Sequence, residues 1–143
     1  MSGSAKNVEL VCGIDGSPHA AIAIDLACRL SKGLGLGLCL IAVNRLRSAG
    51  GYPDLRDWSE VEARAILRGA EDQARRSGAA PRLMLAEGRD VAKALLTAAE
   101  EVGARHIVVG TGDPKGLGRL LMGSVATAVA EQAHVSVTIA RGP

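Results

Sequence analysis

The residues best equipped for chemistry lie in the run Gly110-Thr111-Gly112-Asp113-Pro114-Lys115-Gly116-Leu117-Gly118-Arg119-Leu120-Leu121-Met122-Gly123-Ser124. Its five glycines leave backbone amides uncovered and free to turn toward a ligand. The run follows His106-Ile107-Val108-Val109, a predicted buried strand, and enters residues 125–130, a predicted helix. A glycine-rich turn into a helix start suits an anion, above all a phosphate. The competing reading is a tight connection with no ligand, in which Ser124 only caps the helix.

Common phosphate motifs do not fit. A P-loop requires Gly-Lys-Ser/Thr, whereas Lys115 follows Pro114 and precedes Gly116. A dinucleotide fingerprint belongs after the first strand; here Gly110, Gly112 and Gly116 come one residue too long and after the fourth. A phospho-receiver needs an acidic cluster at the strand ends, and Asp15 stands nearly alone there.

The elements that must position this run alternate along the chain. Residues 8–14 form an apolar run that stops at Asp15-Gly16-Ser17-Pro18. Ser17 caps a predicted helix with Pro18 at its first position; it runs to about Ser31, and Gly33 and Gly35 end it. Residues 36–43 form a second apolar strand. The connection from Asn44 to about Asp57 is polar, contains Gly50-Gly51, and reads as a loop. A helix is expected from about Trp58 to Ser77, with Val61, Ala65, Ala70 and Ala74 inward. Pro81 and Arg82 suggest that the strand over residues 81–86 is an edge. Asp90 caps a third helix that turns Val91, Leu95, Ala98 and Val102 inward. After the glycine run, the last helix reaches about Ala133, and residues 135–140 form a closing, alternating strand.

Apolar strands separated by helices predict an α/β fold: a single-domain, open, five-stranded parallel sheet with helices on both faces. If its order is 3-2-1-4-5, the winding reverses between the first and fourth strands, where such sheets bind ligands. Asp15 then stands beside the glycine run.

With 143 residues, 48% hydrophobic and 22% charged, the chain has the balance of one soluble globular domain. A formal charge of +2, one Trp, one Tyr and no Phe argue against nucleic acid as a partner. No apolar run is long enough for a membrane span. Cys12, Cys28 and Cys39 sit in apolar segments, as reduced cysteines of a cytoplasmic protein do. The histidines His19, His106 and His134 are far apart and read as ordinary edge-of-element residues. Residues 1–7 are expected to be a flexible N-terminus and 8–141 the domain.

In combination, Gly110, the stretch Gly123-Ser124 and the opening Val11-Cys12-Gly13-Ile14-Asp15-Gly16-Ser17 closely resemble the universal stress protein family, whose pattern is G-x2-G-x9-G-[ST]. Ala86-Glu87-Gly88 and the closing strand fit too, so the resemblance covers essentially residues 8–141. It implies the adenine nucleotide alpha hydrolase-like sheet with order 3-2-1-4-5, a stress-response role, and a homodimer through the C-terminal strand 135–141. It also implies ATP binding, with Mg²⁺ possible beside the nucleotide. Carried over by position, Asp15 holds the adenine side and Val43 offers backbone. Gly110, Gly112, Asp113, Gly116 and Arg119 follow the ribose and phosphates, and Gly123, Ser124 and Val125 meet phosphate at the helix start.

The second glycine of the pattern is here Asp113, followed by Pro114. A carboxylate repels phosphate at close range, and proline removes an amide donor. Lys115 and Arg119 restore positive charge. Two readings follow: a nucleotide-binding stress protein serving an unknown protein partner, or a same-fold interaction dimer that does not bind ATP. No nucleophile-and-base pair supports an enzyme beyond slow ATP hydrolysis. Adenylyl transfer lacks its Ser-Gly-Gly-x-Asp-Ser and His-x-Gly-His elements.

Overall fold

The computed structural model describes residues 7–112 and 122–142. Of the N-terminal stretch 1–7, only Asn7 therefore falls among them. The order is β1 (Val8–Ile14), α1 (Pro18–Leu34), β2 (Gly37–Ala49), β3 (Tyr52–Arg56), α2 (Glu60–Arg76), β4 (Arg82–Gly88), α3 (Val91–Glu101), β5 (His106–Gly110), α4 (Ser124–Gln132) and β6 (Ser136–Ala140).

β1 lies at the centre, parallel to β2 on one side and to β5 on the other. β4 adds to β2 and β6 to β5, both parallel. The five parallel strands thus stand in the expected order, with the reversal between β1 and β5. Alternate strand residues fill two aliphatic layers. Leu10, Cys12, Leu40 and Ala42 pack beneath α1 and α2. Val11, Ile41, Ile107 and Val109 pack beneath α3 and α4.

The loop expected over Asn44 to Asp57 is instead largely strand. β2 runs on to Ala49 and folds back as β3, antiparallel, with Leu46 opposite Arg56. Gly50 (φ +55°) and Gly51 (φ +90°) supply the two positive dihedrals that a two-residue hairpin turn demands. Polarity misled here, because ladder hydrogen bonds satisfy the backbone whichever side chains it carries. Asn44, 2% exposed, holds the return. Its Nδ2 donates to the Trp58 carbonyl and its Oδ1 accepts from the Trp58 N–H, both at 2.9 Å. Asn44→Ala strips both partners from a part-buried peptide unit and is expected to cost about 2 kcal/mol of stability in urea denaturation. An unchanged midpoint would show that the hairpin holds without this clamp.

Two helix readings are corrected. α1 continues through Gly33 to Leu34, and only Gly35, at φ +69°, caps it. In α2, Ala63, Ala70 and Ala74 are buried with Ile66 and Leu67 beside them, whereas Val61 is 77% exposed and Ala65 is also exposed. The phase follows from the true start at Ser59. Its hydroxyl accepts from the Glu62 N–H at 3.1 Å, while the Glu62 carboxylate accepts from the Ser59 N–H at 2.9 Å. Those hydrogen bonds also hold the Glu62 carboxyl below its ordinary range.

Candidate functional site

At the reversal, the carboxyl ends of β1 and β5 part and leave a cleft of about 100 Å³. Asp15, Val43, Gly110 and Val125, each singled out from the sequence, all line it. Its apolar walls come from Ile41, Leu95 and Val109, core residues of three different elements. Asp15 also shapes its own turn: one carboxylate oxygen accepts from the Ser17 N–H at 2.9 Å, and Gly16 turns at φ +81°. Asp15 thus both shapes the turn into α1 and lines the cleft.

Gly110 is glycine because the chain is crowded there. A Cβ at this position would stand 2.5 Å from the carbonyl oxygen of His19 in α1. Gly112, at φ +76°, doubles back until a Cβ on it would lie 3.1 Å from the Gly123 Cα. The Gly123 N–H donates to the Thr111 carbonyl at 2.6 Å, closing the base of the excursion. Gly112 and Gly123 are thereby brought together, whereas Gly112, Gly123 and Ser124 are not among the residues lining the cleft. Asp113, Gly116 and Arg119 lie outside the described residues.

Helix starts differ in a way that bears on chemistry. Ser17, Ser59 and Asp90 cap α1, α2 and α3 with side-chain oxygens. α4 begins at Gly123, which has no side chain to offer, so its first-turn amides have no side-chain cap. Ser124 is not the N-cap; it is the first helical residue and exposed. Among the described residues, the start of α4, which adjoins the cleft, is the helix start without a side-chain cap.

Sequence reasoning passed over His19. It sits in the first turn of α1, lines the cleft, and has its Nδ1 3.4 Å from the Thr111 Oγ1. The available signal was position: two residues after a cap that ends the first strand, a side chain can face the reversal. His106 is structural, its Nε2 bonded to the Thr138 Oγ1 at 2.7 Å across β5 and β6. Trp58 packs against the core beneath α1 and α2. Burial pushes the thiols of Cys12, Cys28 and Cys39 up, so they remain protonated and weakly nucleophilic. Among the described residues, no group of three or more His, Cys, Asp or Glu is placed to hold a metal ion. None of the described helices is long and apolar enough to cross a membrane.

Residues 9–141 match the universal stress protein family. The chain is 29% identical over 146 residues to universal stress protein YxiE of Bacillus subtilis (strain 168), covering 93% of this chain and 98% of that protein. A universal stress protein of Archaeoglobus fulgidus superposes with a TM-score of 0.76 at 25% identity, over 93% of this chain and 98% of its own. A universal stress protein solved in complex with cAMP superposes at 0.74 with 27% identity, over 96% and 98%. The match over nearly the whole length, together with the shared sheet, means that this chain belongs to the universal stress protein family.

Proposed function

We propose that this chain is a cytoplasmic stress-response protein that binds an adenine nucleotide, ATP foremost, in the cleft between β1 and β5. The observation that carries the proposal is the start of α4 at Gly123, without a side-chain cap among the described residues and in contact with Gly112 and Thr111, beside an apolar cleft that Gly110 lines. Bare amides and the helix dipole suit phosphate, and the walls of Val43 and Leu95 suit a base. Asp15 on the rim would hold the adenine side. The relative solved with cAMP adds support. Mg²⁺ would come with the nucleotide rather than occupy a protein cage. Hydrolysis would be slow at most. A homodimer would form by edge pairing of β6, which adjoins β5 alone in the sheet, and would present the bound state to a protein partner.

The second reading is an interaction dimer that does not bind ATP. The cleft favours it: about 100 Å³ is below the roughly 300 Å³ at which small-molecule sites usually begin. Calorimetric titration with ATP, ADP and AMP, with and without Mg²⁺, decides between them. Saturable heat is expected. Silence up to millimolar nucleotide would leave the interaction dimer standing. Asp113→Gly is expected to tighten ATP binding by about 1 kcal/mol, roughly fivefold, through loss of one repulsive charge. Weaker binding would instead give Asp113 a metal-holding or structural role.

A further inference from the structure

The cleft assigned above to an anionic ligand has a carboxylate on its rim, and among the described residues that line it one side chain alone can carry positive charge: His19. We infer that His19 is a phosphate-binding residue of this site and makes nucleotide affinity depend on pH. The inference rests on the nucleotide reading and adds to it a residue, a ligand group and a regulatory variable.

The geometry is contiguous. His19 Nδ1 stands 3.4 Å from Thr111 Oγ1, and the carbonyl of the same Thr111 accepts the Gly123 N–H at 2.6 Å. Thr111 thus touches both the imidazole and the residue that begins α4. His19 and Val125, from the first turns of α1 and α4, line the same cleft. The His19 carbonyl packs so close to Gly110 that a Cβ there would stand 2.5 Å from its oxygen. A phosphate at the α4 start would lie where an imidazolium N–H can donate to it, a charge-assisted bond stronger than a neutral one.

Among the described residues that line the cleft, the other titratable group is Asp15, on the turn between β1 and α1. The end of β5 contributes Thr111, and α4 contributes Ser124 and Val125, all uncharged. Arg141, one residue past the Gly110–Ala140 pair, does not line the cleft. Histidine is the side chain whose charge changes between about pH 5 and 8. Phosphate binding to the protonated ring must therefore weaken as pH rises through that window.

The test is calorimetric titration of the full chain with cAMP at pH 6 and pH 8. The phosphodiester of cAMP keeps a single negative charge over that range, so any slope belongs to the protein. Wild type is expected to bind roughly tenfold more weakly at pH 8. His19→Gln should bind at the weak level at both pH values, and His19→Lys should bind at the tight level at both. Adenosine, which has no phosphate, should show no slope. A wild-type affinity that is flat with pH, a slope that persists in His19→Gln, or an equal slope with adenosine each overturns the role of His19 while leaving nucleotide binding intact. Absence of binding by wild type to cAMP, ATP and adenosine at both pH values overturns the nucleotide reading and this inference with it.

Discussion

Gly110→Ala is expected to cost about 3 kcal/mol of folding stability and to abolish ligand binding. The added methyl would meet the carbonyl oxygen and carbon of His19 at 2.5 and 2.8 Å. Those are backbone atoms in a capped first turn, so no rotamer change relieves the contact. β5 cannot retreat either, because Gly110 is paired with Ala140 of β6. Overpacking of this kind typically costs about 1–3 kcal/mol, and a backbone clash belongs at the upper end. Against a total of about 5–15 kcal/mol, this is a large share. Urea denaturation followed by circular dichroism measures it. A wild-type midpoint in the variant would mean that the strand end and helix start are more loosely joined than they stand here.

The second large effect concerns the wall of the cleft. Leu95, 2% exposed, packs over Gly13 of β1, so that a Cβ on Gly13 would fall 2.8 Å from Leu95 Cδ2 and 3.3 Å from Val109 Cγ1. Leu95→Ala removes the apolar wall and is expected to cost about 3 kcal/mol, with a void opening toward the cleft. Gly13→Ala alone is destabilising because its methyl competes with Leu95. In the Leu95→Ala background the same methyl enters vacated space, so the double variant should be more stable than the two separate costs predict. Strict additivity in the denaturation midpoints would rule out this coupling. The cycle also probes function, since both residues line the cleft.

The fold was largely legible because its signals are local and repeated. Strands separated by helices leave few arrangements besides a doubly wound sheet, and the caps at Ser17 and Asp90 stand where their side chains required. The hairpin was not legible from composition, since polar residues 44–57 look like loop until Gly50-Gly51 is weighed as a turn. The face of α2 was misphased for want of one recognised box, Ser59 to Glu62. At the site, spacing marked Gly110, whose reason is a close backbone approach to His19 that only glycine permits. It could not mark Ile41, Leu95 or Val109, which look like any other core residue until three elements bring them to one cleft. His19 was hidden for a different reason: a lone histidine gains meaning from the neighbour it faces, and that neighbour, Thr111, lies 92 residues away.

The central position of β1 has a consequence for how the chain is made. Leu10 pairs with Leu38 on one side but with His106 on the other. At about 5–20 residues per second, the second partner leaves the ribosome roughly five to twenty seconds after the first strand. During that interval β1 and β2 exist with an open apolar edge and a cleft with only one side, since Asp15 comes early and Gly110 to Ser124 late. A ligand that needs both sides cannot guide this assembly. It can act only on the finished chain, raising the stability of the native state by mass action. Nascent chains are therefore exposed to misassociation whatever ligand is present, and a ligand that binds across both sides would protect completed molecules alone.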